Sequence, residues 1–88
     1  MKEGIIMDGI FIDNDGNILN LKYVVKIVKH TIEHDDKTIK AYLKDTDKGF
    51  YITTKKRLSD LEIENVLKKI GQLLEKGKKV IYEEELYE

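Results

Sequence analysis

The chain has 88 residues, 41% hydrophobic and 38% charged, and its 16 Lys and Arg nearly balance 17 Asp and Glu, for a formal charge of −1. These values predict one small folded domain, residues 1–88, and they disfavour a strongly basic duplex-binding protein. The chain has no cysteine, which excludes disulfides, thiolate metal sites and cysteine nucleophiles.

The N-terminal sequence MKEGIIMDGI contains one short apolar run, Ile5-Ile6-Met7. A secretory signal needs about 7–15 apolar residues, and a membrane span needs about 20. We therefore expect a cytoplasmic protein without a membrane partner.

Residues 10–21, IFIDNDGNILNL, place a polar run between two apolar runs. An EF-hand loop starting at Asp13 would need Gly at its sixth position and Glu at its twelfth. Gly16 instead stands at the fourth position, and Val24 at the twelfth. Asp15-Gly16 between alternating apolar residues predicts a hairpin turn, with a weak surface calcium contact as the alternative.

A long strand is predicted after this turn, over residues 18–33. Its core-facing side is assigned by period-two alternation to Leu19, Leu21, Tyr23, Val25 and Ile27. Beyond Ile27 the alternation changes parity, which predicts a β-bulge near Val28-Lys29. Further strands are predicted at residues 10–12, 39–44, 50–54 and 80–82, and their short connections favour antiparallel neighbours.

One amphipathic helix is predicted from Asp60 to Lys76. Ser59 and Glu62 have the spacing of a capping box, and Gly77 stands where a left-handed C-cap belongs. The predicted fold is α+β, a small antiparallel β-meander of about four to five strands. The helix packs on one face, a short final strand follows it, and the acidic tail at residues 83–88 is expected to be frayed.

No catalytic or metal site is predicted. Ser59, the only serine, is assigned to the helix cap, and the aspartates lie in predicted turns, where Asp is common. His30 and His34 would be about 13 Å apart on a strand, too far to share an ion. We therefore expect a non-enzymatic protein with no cofactor, no metal and no small-molecule substrate; a small hydrolase that uses the turn aspartates is the least favoured alternative.

One candidate surface is the sheet face that the helix leaves open. Tyrosines interleaved with lysines there resemble, in their physical properties, platforms that stack single-stranded bases. An ordinary solvated sheet face is the other interpretation. The possible nucleic-acid residues are Lys40, Tyr42, Lys44, Tyr51, Lys55, Lys56 and Arg57.

The second candidate surface is apolar and gives the leading functional hypothesis. Apolar residues on the side of the long strand away from the core suggest a face covered by a protein partner or a second copy. We thus expect a small interaction or regulatory module that self-associates through this strand, with burial of both faces inside the monomer as the alternative. The predicted interface residues are Ile18, Val24, Val28, Ile32 and Leu61.

Overall fold

The computed structural model of the protein describes residues 8–88, so the apolar run at residues 5–7 lies outside the described residues. Within residues 8–88 the chain forms six strands, one α-helix and two 3-10 helices. The strands are β1 (Ile10–Ile12), β2 (Ile18–Asn20), β3 (Val24–Glu33), β4 (Asp36–Leu43), β5 (Gly49–Tyr51) and β6 (Val80–Tyr82). The helix α1 spans Asp60–Glu75, and the 3-10 helices span Leu21–Tyr23 and Glu83–Tyr87.

The strands form two three-stranded sheets, with strand orders β2-β1-β6 and β3-β4-β5. Every pairing is antiparallel except that of β1 with β6, which is parallel. The α+β class with a C-terminal helix and a short final strand is thus confirmed. The six strands are divided between two sheets, whereas the sequence predicted a single antiparallel β-meander of about four to five strands.

The β1–β2 turn is confirmed as a hairpin turn organised by Asp13. The Asp13 carboxylate accepts the backbone N–H groups of Asp15 at 2.9 Å and Asn17 at 2.8 Å. Gly16 has a φ of +86°, a conformation that glycine adopts without a steric penalty. Both oxygens of Asp13 are bonded inside the turn, because the second accepts the Asn17 side chain at 3.0 Å.

The predicted long strand is interrupted by the 3-10 helix Leu21–Tyr23, and this changes which side chains reach the core. The Asn20 side chain accepts the Lys22 N–H at 3.0 Å and begins the helical turn. Three residues of helical turn replace an extended segment, so the alternation restarts at β3. Val24 is consequently buried, with 5% exposure, whereas Val25 is 57% exposed and Tyr23 is also exposed.

The prediction of a β-bulge near Val28-Lys29 is wrong. The β3–β4 register shifts instead at the two ends of β3, between Val24 and Lys26 and between Thr31 and Glu33. Between these points the pairing is regular. The change of parity in the sequence therefore reflects two irregularities rather than one in the middle of the strand.

The helix α1 begins as predicted and ends one residue earlier than predicted. Ser59 accepts the Glu62 N–H at 3.1 Å, and the Glu62 carboxylate accepts the Ser59 N–H at 2.9 Å, which is the predicted capping box. Lys76 is the C-cap, and Gly77 follows with a φ of +76°. Among residues 8–88 there is no helix with the length and apolar character needed to cross a membrane.

The hydrophobic core lies between α1 and the two sheets. The buried helix residues are Ile63, Val66, Ile70 and Leu73. They belong to one buried cluster with residues of both sheets, among them Phe11, Leu19, Ile39, Ala41 and Ile81. The expectation of a frayed tail is wrong, since residues 83–87 form the second 3-10 helix, in which Glu83 and Leu86 are buried.

Candidate nucleic-acid interface

The sheet β3-β4-β5 has one covered face and one open face. Ile39 and Ala41 of β4 are fully buried in the core. Because neighbouring residues of a strand point to opposite faces, Lys40 and Tyr42 lie on the open side. We call the open surface the tyrosine–lysine face and define it by five residues. These are Lys26, His30, Lys40, Tyr42 and Tyr51.

The pairing of the strands places the lysine ammonium groups of this face next to its tyrosine rings. Lys26 of β3 lies opposite Tyr42 of β4, and Lys40 lies opposite Tyr51 of β5. The Lys40 ammonium is 5.5 Å from the centre of the Tyr42 ring and 5.3 Å from that of Tyr51. The Lys26 ammonium is 5.2 Å from the Tyr42 ring centre. These distances are within the range of cation–π attraction, so Lys40 is held between two aromatic rings.

Two further features shape the face around Lys40. The stem of Lys40 crosses β5 at Gly49 and occupies the space that a side chain at this position would fill. The His30 ring centre is 6.0 Å from that of Tyr51, and the two rings are tilted by 55°. The face therefore presents three rings and two ammonium groups on one continuous sheet surface.

The structure brings together only part of the predicted nucleic-acid set. Lys40, Tyr42 and Tyr51 are neighbours, Lys44 is exposed just beyond β4, and Lys56 lines a cleft beside Tyr51. Lys55 instead places its ammonium 3.9 Å from the centre of the Tyr87 ring. Arg57 pairs with Asp36, with 3.2 Å between Nε and the carboxylate oxygen. Lys55 and Arg57 are therefore engaged outside the tyrosine–lysine face.

Two members of the face, Lys26 and His30, were missed by the sequence reasoning. Both lie on β3, where the β-bulge predicted near Val28-Lys29 would have placed them on opposite faces. Because alternate residues of a strand point to the same face, a regular strand over residues 26–30 places Lys26 and His30 on one face. Their relation to Tyr42 and Tyr51 depends on the strand register, which the sequence pattern did not determine.

The predicted apolar interface does not form one continuous row. Val24 is a core residue, which corrects its assignment to the surface, and Ile18 is exposed on the other sheet. Ile32 is exposed on β3, and Leu61 is exposed on α1. Val28 is half-buried and lies opposite Lys40 at the tyrosine–lysine face. Because Val24 packs inside the molecule, the other predicted interface residues do not form one surface.

Glu83 is a fully buried carboxylate that joins three separate segments of the chain. One oxygen accepts the Asn14 N–H of the β1–β2 turn at 2.9 Å. The other accepts the Thr54 N–H at 2.8 Å, the Thr54 hydroxyl at 3.0 Å and the Thr53 hydroxyl at 3.2 Å. The Tyr87 hydroxyl also donates to this oxygen. Glu83 thus fastens the C-terminal 3-10 helix to the β1–β2 turn and to the segment after β5.

The hydrogen bonds to Glu83 keep it ionised. Burial alone raises the pKa of the carboxyl, but the bonds from Tyr87, Asn14 and Thr54 outweigh burial and hold the pKa below its usual 4.5. Burial and the bond to Glu83 raise the pKa of Tyr87, so its hydroxyl stays protonated as a donor. The arrangement satisfies a buried charge through hydrogen bonds from three segments of the chain.

A cleft of about 390 Å³ opens beside the tyrosine–lysine face. Gly49, Phe50 and Tyr51 of β5 form one side, and residues of the β1–β2 turn form the other. No cluster of three or more His, Cys, Asp or Glu side chains suited to a metal ion occurs in residues 8–88. Comparison with protein-family models, curated proteins and solved structures finds no significant match to this chain.

Proposed function

We propose that this protein is a non-enzymatic module that binds single-stranded nucleic acid on its tyrosine–lysine face. The observation that carries the proposal is the placement of the Lys40 ammonium between the rings of Tyr42 and Tyr51 on an open sheet. Aromatic rings on such a surface stack bases without regard to sequence, and neighbouring cations contact the phosphates. The tyrosine–lysine face has both the aromatic rings and the cations, on the paired strands β3, β4 and β5.

The local charge of this region supports the proposal despite the formal net charge of −1. Lys26, Lys40, Lys44 and Lys56 are the cations on or beside the face. In the part of the chain from residue 8 onward, the ion pairs use other lysines, together with Arg57. Among the described residues these four ammonium groups are therefore not neutralised by a carboxylate. Binding through them should weaken as salt is raised.

Removing either tyrosine ring should weaken binding of a short oligouridine without unfolding the protein. Tyr42→Ala and Tyr51→Ala should each cost about 1–3 kcal/mol of binding free energy, the range for one stacked base. Fluorescence anisotropy titrations at low and moderate salt measure this loss. Tyr82→Ala is the matched control, because Tyr82 lies on the other sheet and is 52% exposed, against 44% for Tyr51.

The control and the tyrosine variants together test whether the tyrosine–lysine face stacks bases. Tyr82→Ala should bind as the unaltered protein does, and all three variants should keep the thermal unfolding transition. An affinity that is unchanged in both Tyr42→Ala and Tyr51→Ala would contradict the proposal. Equal losses in all three variants would also contradict it, because they would indicate a general effect rather than stacking on this face.

A second candidate function is self-association or partner binding through the edge of β3. This strand has ten residues and is an outer strand of its sheet, with exposed Val25 and Ile32. An unpaired strand edge can hydrogen-bond to another strand. The candidate ranks second because Lys26, Lys29 and a register shift at each end of β3 are features that disfavour edge pairing.

If the β3 edge pairs with a second copy, the protein should be a dimer in size-exclusion chromatography coupled to light scattering, and the dimer should be insensitive to salt. Val25→Lys should then give a folded monomer, because it places a charge at the pairing edge. Leu61→Lys, at an apolar position of α1 that is 66% exposed against 57% for Val25, is the control and should leave the dimer intact. A monomer at high protein concentration would contradict this candidate.

A further inference from the structure

The cleft beside Tyr51 is large enough to hold a small ligand. Its volume of about 390 Å³ lies within the range of small-ligand pockets. One side is the aromatic edge strand β5, and Thr53, Thr54 and Lys56 follow it along the cleft. The other side is the β1–β2 turn, represented by Asp13, Asp15 and Asn17. Tyr51 belongs to both the cleft and the tyrosine–lysine face, so the two are continuous.

Backbone groups of β5 add polar atoms to this cleft. Ile52 N–H donates to Ile39 O at 2.9 Å, and Leu43 N–H donates to Lys48 O. Hydrogen-bonded pairs alternate with non-bonded pairs in an antiparallel ladder, and Tyr51 faces Lys40 in a non-bonded pair. The N–H and C=O of Tyr51 therefore point away from β4, toward the edge of the sheet where the cleft lies.

Asp15 differs from the other polar residues of the cleft in having an available side chain. Asp13 is occupied by the bonds of its own turn, and the hydroxyls of Thr53 and Thr54 donate to Glu83. The Asp15 carboxylate is exposed and takes part in none of the hydrogen bonds or ion pairs formed within residues 8–88. Its backbone is fixed, because its N–H is bonded to Asp13.

We propose that this cleft takes one nucleobase beside Tyr51, with Asp15 selecting guanine; this inference rests on the proposed nucleic-acid function. A carboxylate offers two adjacent acceptors and no donor. On its Watson–Crick edge guanine offers two adjacent donors, N1–H and the N2 amino group. Adenine and cytosine offer one donor beside an acceptor, and uracil offers one donor between two acceptors. Only guanine matches both carboxylate oxygens, and Lys56, which also lines the cleft, would contact the adjoining phosphate.

The test compares a short oligouridine with the same oligomer carrying one central guanosine. The guanosine should raise the affinity of the unaltered protein by roughly tenfold or more, the discrimination typical of a bidentate contact. Oligomers with one central adenosine or cytidine should show no such gain. Asp15→Ala should remove the guanosine preference, whereas Asp35→Ala, an exposed aspartate in the β3–β4 turn, should retain it. Each preference is an affinity ratio, so the shared loss of one negative charge cancels.

The outcomes separate this inference from the proposed function. If the protein binds oligouridine through Tyr42 and Tyr51 but shows no guanosine preference, the cleft assignment is overturned and the proposed function stands. A preference that survives Asp15→Ala would equally overturn the role of Asp15. If none of the oligomers binds, both the proposed function and the inference built on it fail.

Discussion

Glu83→Ala should lower the free energy of unfolding by roughly 3 kcal/mol, the largest loss expected from removing a polar side chain in this protein. The substitution takes away the acceptor of two backbone N–H groups, those of Asn14 and Thr54. Both hydrogen bonds are partly buried, and each donor left without a partner costs up to about 1–3 kcal/mol. Small domains are typically stable by only about 5–15 kcal/mol, so this loss is a large fraction of the total. Urea denaturation followed by circular dichroism measures it.

Glu84→Ala is the matched control, since Glu84 is the exposed neighbour on the same 3-10 helix. It should change the free energy of unfolding by less than about 0.5 kcal/mol. Glu83→Gln keeps one oxygen acceptor in place and should be less damaging than Glu83→Ala. If Glu83→Ala and Glu84→Ala are equally mild, Glu83 does not fasten the C-terminal segment.

The same carboxylate should make the stability of the protein sensitive to acid. The pKa of Glu83 is lower in the folded protein than its usual 4.5, so the unfolded chain takes up the proton more readily. The stabilisation is therefore complete above about pH 4.5 and is lost as the pH falls through the folded-state value. Glu83→Gln should lose less stability over this acid range than the unaltered protein does.

Val24→Lys should destabilise the protein by about 3 kcal/mol or more, whereas Val25→Lys should change its stability by less than about 0.5 kcal/mol. Val24 is buried with Leu21 and other residues of the core, so a lysine there would carry an unpaired charge into an apolar site. Val25 points into solvent, where lysine is readily accommodated. The same urea denaturation experiment gives both values.

These two variants test the effect of the 3-10 helix directly. In a strand without that interruption, Val25 rather than Val24 would face the core. If the alternation ran unbroken from residue 19 to residue 27, Val25→Lys would be the damaging change and Val24→Lys the mild one. The two variants have the same composition and the same charge. Their difference in stability therefore reports only which of the two positions faces the core.

The elements that the sequence predicted well are those determined by neighbouring residues. The capping box of Ser59 and Glu62 lies within one helical turn, and the Asp13 turn is closed by residues only two and four positions away. Such local hydrogen bonds leave a pattern in the sequence itself. The open face was predicted in part for the same reason, because Lys40 and Tyr42 alternate with Ile39 and Ala41 along a single strand.

The features that the sequence did not predict depend on distant residues or on one short irregular turn. LKY at residues 21–23 continues an apolar alternation, so nothing in its pattern distinguishes a 3-10 helix from a strand. The glutamates at residues 83–85 have the composition of a solvated tail. Glu83 is buried because donors from the β1–β2 turn and from residues 53–54 converge on it, and that convergence exists only in the folded chain.

The parallel pairing of β1 with β6 has a consequence for the order of folding. The β3–β4 hairpin closes through the short turn between Glu33 and Asp36. By contrast, Asn14 and Glu83 are 69 residues apart along the chain. Closing a long loop costs more chain entropy than closing a short one, and contacts of high sequence separation slow folding. We therefore expect the tyrosine–lysine face to assemble early from local pairings, and the sheet β2-β1-β6 to close last, when residues 80–88 dock.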